Sequence, residues 1–333
     1  MRHEVSELAN FPNSDSLQIS TDLIKKLSPD SQSIMEFKNE TDIKIAEKML
    51  AFPLLGEQLE NTWNLKLANE FHMTNDSHLF KTENATGRLP LFEGKMIHQF
   101  SSTWGEPKYW IDEAEGRKGV LGLRKEDVGQ VLDYQCYRLG FRSVASSTNE
   151  QTMIATILPR NVFCPHSMNV ENVAESTLST ENRLLLVALF NSFILDWLLR
   201  QKVSANLSMY FIYQLPIPRL TETDPRFKPI VERAAALICV SAEFEDLKRE
   251  LEAKGYDCRC GFSRTDADVN ENAAEAAPTI GSIRAELDAM VAHLYDLTED
   301  EFAHILKTFP IVKDEVKVAA MLEFRKLSGE NNA

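Results

Sequence analysis

The sequence predicts an α+β protein in three stretches: a helical N-terminal spacer over residues 1–84, a central mixed sheet over 85–220, and C-terminal helices over 221–333 with a linker near 263–278. Three observations lead there. Apolar residues recur at helical spacing toward both ends of the chain. The centre is enriched instead in β-branched and aromatic residues bounded by Gly, Pro and Asn, the pattern of short strands. Charge divides along the same lines: 8 basic and 14 acidic side chains in the first stretch, 14 and 13 in the second, 14 and 23 in the third. A surface that meets a polyanion therefore belongs in the near-neutral centre, flanked by acidic arms.

Thr21 to Leu27 forms a short amphipathic turn that Pro29 ends. Thr41 to Leu50 has helical spacing, with Thr41 or Asp42 as N-cap. Leu89 to Phe100, Gln130 to Val144 and Thr152 to Leu158 follow as strands. Glu181 to Lys202 returns to helix behind Thr180, with its Leu, Val and Phe face in the core and Trp197 filling that interface. A further helix covers Phe227 to Lys254. Ser263 to Pro278, rich in Asp, Ala, Asn and Glu, is a surface linker or loop. Ile280 to Tyr295 and Thr298 to Thr308 are two short helices, the second opened by a Thr298–Glu301 capping box.

Composition narrows the function classes. The chain has 333 residues, 44% of them hydrophobic, which excludes disorder as the main state and gives room for two or three packed units. Its 36 basic and 50 acidic side chains give a net charge of −14, against a free-standing electrostatic DNA clamp. Five scattered cysteines show no disulfide framework and point to the cytoplasm. The stretch from Met1 to Val5 has no apolar run of the secretory kind. Leu184 to Leu199, interrupted by Asn191, Ser192 and Asp196, is a buried helix rather than a membrane span.

Catalytic signatures are sparse. There is no phosphate-cradling glycine loop, because Gly119, Gly122 and Gly129 are too widely spaced. No Asn/Asp-Pro-Pro-aromatic tetrapeptide of the amino-methylating DNA enzymes occurs, and no Gly-x-Ser-x-Gly elbow. Pro29-Asp30 with Glu36-Phe37-Lys38 imitates a nuclease metal site, but its spacing barely permits a turn and the flanks are not strand-like. His72, Asp76 and His78 offer metal ligands on no common helix face, and Cys258-Arg259-Cys260 lacks the two-residue gap of a zinc pair. The expectation is a chain with no catalytic centre and no metal site.

What remains is recognition. In an extended segment Lys95, Ile97 and Gln99 share one face, with Met96 and His98 on the other. Arg138 and Arg142, four apart, share a strand face opposite Tyr137, Leu139 and Phe141. The polar run Ser146, Ser147, Thr148, Asn149 and Gln151 lies just beyond. Such a surface suits phosphate and base-edge contacts, and it equally suits a solvated sheet edge.

These segments resemble a known family. Asn64 to Phe80, then Leu89 to Phe100 with its Phe92-Glu93-Gly94-Lys95-Met96-Ile97-His98-Gln99-Phe100 core, then Trp104-Gly105-Glu106-Pro107-Lys108-Tyr109-Trp110, resemble the C-terminal part of type IIG-like adenine-specific restriction-modification methyltransferases. So do Tyr137 to Pro159, centred on Ser146 to Thr152, and Leu186 to Pro218, which ends in Gln214-Leu215-Pro216-Ile217-Pro218 like the close of a target-recognition domain. Similar Leu-Pro-x-Pro endings occur in type I specificity subunits. The resemblance covers most of the chain, Ala285 to Lys313 included, and its specificity lies in the order of the motifs. It implies a DNA target-recognition domain over residues 85–220, with double-stranded DNA as one partner and a methyltransferase core domain or subunit as another.

Two departures matter. The family pattern commonly has Arg at position 151, where this chain has Gln151, one phosphate-type contact fewer. The methyltransferase core that precedes this region in the family is absent, so the chain resembles a truncated or split portion. S-adenosylmethionine would bind that missing core, leaving no cofactor here. Lys95, Arg138 and Arg142 are then expected at phosphates or guanine edges, and Asn149 and Gln151 at adenine edges, with His98, Ser147 and Thr148 beside them. The alternative is an acidic protein-interaction subunit that docks on a separately encoded methylase; a third is an intact enzyme with an unrecognised site.

Overall fold

The computed structural model describes residues 16–27, 35, 37–122, 126–144, 149–202, 206–259 and 279–330. The fold is α+β, and its organising element is a short antiparallel sheet. In chain order the strands are β1 (Leu67–Ala68), β2 (Arg88–Pro90), β3 (Trp110–Asp112), β4 (Arg138–Arg142), β5 (Ala155–Leu158) and β6 (Met168–Glu171). Four of them form a sheet in the order β1-β6-β4-β5, and β2 with β3 makes a separate hairpin-like pair. All these pairings are antiparallel; among the described residues parallel bridges occur only outside the named strands, at Phe71–Pro165 and Leu91–Phe163.

Both faces of the four-stranded sheet are covered, so its strands carry nearly continuous buried residues instead of an alternation. Every residue of β5 and β6 is buried, and in β4 only Arg142 is not. One face presents Leu139, Phe141, Ala155 and Ile157 to the main core, where Phe141 meets Phe190 edge-on at 6.0 Å. The other face, with Leu158, Met168 and Val170, is closed by Ile97, Val162 and Cys164. Gly140 sits mid-strand because a Cβ there would come within 2.7 Å of Leu158.

The helices are α1 (Thr21–Leu27), α2 (Glu40–Met49), α3 (Glu113–Leu121), α4 (Thr180–Phe190), α5 (Phe193–Arg200), α6 (Met209–Tyr213), α7 (Phe227–Ile238), α8 (Glu245–Ala253), α9 (Ile280–Leu294), α10 (Glu299–Lys307) and α11 (Asp314–Glu330). α4 and α5 are the buried centre, and their apolar side chains join a core that runs from Leu23 to Phe324. α9 packs against α7, α5 and α11, and α2 lies on α10. There Lys48 Nζ donates to Glu301 Oε2 at 2.8 Å, and His304 meets Asp42 at 2.7 Å. Among the described residues no single helix is long and apolar enough to cross a membrane.

Several expected elements are divided. The helix foreseen over Glu181 to Lys202 is two helices bent by 61°, because Asn191 and Ser192 interrupt it. The Asn191 amide donates to the Ala155 carbonyl at 2.9 Å and accepts from the Ala155 N–H at 3.0 Å, so it occupies the free edge of β5. Ser192 then caps α5 through the Leu195 N–H. The helix foreseen over Phe227 to Lys254 breaks after Ile238 into a 3-10 turn, Ala242–Phe244, before α8. Tyr137 holds that break: its hydroxyl donates to the Glu243 carbonyl at 2.6 Å and its ring stacks on Phe244. Leu89 to Phe100 supplies strand only at its start, then a 3-10 turn at Gly94–Met96. Gln130 to Val144 and Thr152 to Leu158 supply the shorter β4 and β5. Caps fall one to three residues before those expected, at Asn39 and Ser179, while Thr298 and Glu301 form the expected capping box. Pro29 and the whole of 263–278 lie outside the described residues.

Trp197 on α5 is fully buried, as its place on the apolar face required. Trp197→Ala should cost about 3–5 kcal/mol through the cavity it leaves, read as a fall in the denaturant midpoint. An unchanged midpoint would show that α5 is peripheral.

Candidate nucleic-acid interface

The site begins with the segment that follows β2. Gly94 opens its 3-10 turn against the backbone of Ser167, where a Cβ would lie 2.5 Å from the carbonyl oxygen. The chain then reverses in a tight turn in which His98 and Ser101 exchange backbone hydrogen bonds of 2.8 and 3.0 Å. Phe100, inside this turn, has φ +60, a left-handed conformation that a bulky residue tolerates only when the surroundings enforce it. They do so here: its N–H donates to the Ala155 carbonyl at 3.0 Å, and its ring is buried under the guanidinium of Arg284.

The turn delivers Gln99 to the centre of a polar network. The Gln99 amide nitrogen donates to the Asn191 carbonyl at 3.0 Å and to Oε1 of Gln151, while its oxygen accepts from Arg284. Arg142, at the end of β4, donates through Nε and Nη2 to the Ile97 carbonyl. The segment after Asn149 is tied down by α5. Asp196 accepts the N–H groups of Thr152 and Met153, the latter at 2.7 Å, and pairs with Arg200 one turn on at 3.1 Å. Arg200 in turn donates to the carbonyls of Asn149 and Glu150 at 2.8 and 2.9 Å.

These pieces enclose a cleft of about 370 Å³ between the sheet and the C-terminal helices. His98, Arg142, Asn149 and Gln151, all singled out in the sequence, line it together with Arg284 and Asp288 of α9. Burial is the main electrostatic fact. It lowers both guanidinium pKa values from the ordinary arginine range. His98 falls to about 4, by burial first and then by the charges of Arg284 and Arg142, so its ring is neutral near pH 7. Asp288 is pushed up to about 7 by burial, although its carboxylate accepts the Phe193 N–H at 2.9 Å. Guanidinium donors, side-chain amides and a neutral imidazole around one concavity can hydrogen-bond an anionic backbone and the edges of bases. Just outside, Trp104 is 63% exposed and packs on the His98 ring at 4.4 Å.

Other expected residues fall elsewhere. Arg138 is a correction. It shares the Arg142 face of β4, but that face is roofed by a second layer and is no solvated edge. Its guanidinium is wholly buried, bidentate to Glu70 at 2.6 and 3.0 Å, with a further bond to the Val162 carbonyl at 2.9 Å. Glu70 also accepts the Cys164 N–H at 2.8 Å, so Arg138 fastens the roof instead of facing a ligand. Lys95 lies in a 3-10 turn, exposed and paired with Glu93 at 2.9 Å, off the cleft. Ser147 and Thr148 lie outside the described residues. Gln99, Asn191, Arg284 and Asp288 were missed. The available signal was Arg284 and Asp288 standing four apart, each directly after an apolar position, Ile283 and Leu287. His72 and His166 stack at 5.1 Å, and among the described residues no group of three His, Cys, Asp or Glu side chains could hold a metal ion.

No protein-family profile matches the chain, and no curated protein matches it. Among solved structures the chain is similar to the Type IIL restriction-modification enzyme MmeI in complex with DNA, at 13% identity and a TM-score of 0.41. The alignment covers 77% of this chain and 36% of that one, so the chain spans about a third of the length of that structure.

Two outcomes follow from this geometry. Arg138→Ala strands the buried Glu70 carboxylate and should cost about 3–5 kcal/mol in denaturant unfolding. Any ligand affinity of the folded fraction should be unaltered, because Arg138 is outside the cleft; a stable variant with weakened binding would reverse that assignment. Asp288 ionises near 3.8 when unfolded and near 7 when folded, so between those values the folded state binds the extra proton. Stability contributed by this group therefore falls as pH rises from about 4 to 7. Asp288→Asn keeps the acceptor for Phe193 and should flatten that part of a midpoint-against-pH curve; a slope equal to the parent's would contradict it.

Proposed function

We propose that this chain is the DNA sequence-recognition module of an adenine-specific restriction-modification methyltransferase, working with a methyltransferase core carried by another domain or subunit. The observation that supports it is convergence. His98 on the one hand and Arg142, Asn149 and Gln151 on the other come from two segments of a motif order that resembles the recognition region of that family, and they line one cleft. A merely solvated sheet edge gives no reason for these side chains to meet, or for α5 to pin residues 149–153 through a buried carboxylate.

In this reading the guanidinium of Arg142 positions the duplex and the amides of Asn149 and Gln151 read base edges. Chemistry on the target base belongs to the partner core, which would also hold S-adenosylmethionine. The net charge of −14 leaves the chain a weak and salt-sensitive DNA binder by itself, with the partner contributing phosphate contacts.

The test is a salt-titrated binding assay with duplex DNA, with the partner methylase present. Arg142→Ala should weaken binding to all sequences alike and reduce the salt slope by about one unit. Asn149→Ala should relax preference at one position, costing about 1–3 kcal/mol against the cognate site alone. Equal affinity of parent and variants at every salt concentration would sink the reading and favour a protein-docking subunit.

A further inference from the structure

The arginines of this chain divide by what they touch. Arg117, Arg138, Arg183, Arg200 and Arg233, all at least partly buried, each hold a carboxylate oxygen at 2.6–3.1 Å. Arg219 has none but donates through its two terminal nitrogens to four backbone carbonyls, those of Trp63, Leu54, Leu55 and Glu57. Arg142 and Arg284 fit neither class. Among the described residues Arg142 hydrogen-bonds only the Ile97 carbonyl, and Arg284 only the Gln99 amide oxygen, beside the face of Phe100 at 5.7 Å. Neither forms an ion pair among the described residues, and both line the same cleft with N–H groups that make no hydrogen bond among those residues.

Two guanidiniums that line one cleft without an ion-pair partner are costly unless something anionic completes them. The carboxylates that share the cleft do so only in part. Asp288 accepts the Phe193 N–H and is about half protonated near pH 7, and Glu150 is exposed and acts on Arg284 without pairing with it. His98, the remaining titratable group, is neutral there. The field in the cleft is therefore positive, inside a chain that is acidic overall.

We propose that Arg142 and Arg284 together seat one phosphate group in this cleft. The inference rests on the DNA reading above and deepens it: the group is a backbone phosphodiester, clamped between β4 of the sheet and α9 of the C-terminal helices. The same chemistry would take the phosphate of a free phosphorylated ligand. Planar guanidinium forks match phosphate oxygens in pairs, which an ammonium does not. A cleft of about 370 Å³ has room for more than the phosphate, and Asn149 and Gln151 line it beside the same group. Arg284 is thus a binding residue that the central segment alone does not contain.

The experiment uses the full chain and the variants Arg142→Gln, Arg284→Gln, Arg284→Lys and the double Gln variant. Inorganic phosphate should raise the thermal midpoint of the parent above that in chloride at equal ionic strength, and should do so in neither Gln variant. Against duplex DNA, each single Gln variant should lower the salt slope by about one unit, and the double variant also by about one, since one phosphate is lost in all three. Arg284→Lys keeps charge and length, so it should fold even where Arg284→Gln does not, and should lose most of the phosphate shift. A double variant that loses about two units would overturn the shared seat, as would a parent that ignores phosphate while its single variants keep the parental slope. DNA binding with unaltered slopes would leave the recognition reading standing without the seat. A phosphate shift without DNA binding would keep the seat, assign it to a free phosphorylated ligand and remove the recognition reading.

Discussion

One buried carboxylate ties the candidate interface to the rest of the molecule. Asp196 is fully buried in α5, yet it accepts two consecutive backbone N–H groups from the segment entering β5 and an Arg200 guanidinium one turn along its own helix. A carboxylate in such a place is tolerable only when its lone pairs are met, and here the donors meeting it are the backbone that carries Asn149 and Gln151. Arg200 extends the tie by holding the two preceding carbonyls. The interface segment is therefore positioned by a helix in the core, which is how a loop acquires the fixed geometry that recognition needs.

β4 shows how one strand serves two ends. Both arginines point to the same face, and only the roof above them differs. At Arg138 the segment from Val162 to Cys164 and the Glu70 side chain close over the guanidinium, making it an internal fastener. At Arg142 the cover is the turn between Gly94 and Ser101, whose single carbonyl contact leaves the guanidinium half open to the cleft. Identical side chains on one face thus fasten the structure at one end and line the cleft at the other.

How much of this was legible follows from what each signal measures. Local patterns found the helices, because spacing and caps such as Thr298 with Glu301 are written in neighbouring residues. They missed the break at Asn191, which exists because its amide satisfies Ala155 on another element. Strand periodicity put Arg138 and Arg142 on one face correctly, but it carries no information on whether a second layer covers that face. Motif order drew attention to His98, Arg142, Asn149 and Gln151. Arg284 and Asp288 stayed hidden because their helix looks like an ordinary amphipathic one until it docks against the turn at Gln99.

The bond from Arg284 to Gln99 joins residues 185 positions apart. Closing a loop of that length carries a large chain-entropy cost, and contacts of such separation form late in folding, after the local turns and helices. The cleft is accordingly among the last features to exist as the chain matures. A chain still on the ribosome can present β4 and the turn at His98, but it lacks the wall that α9 supplies. Without the C-terminal helices the chain has no finished cleft with which to engage a ligand.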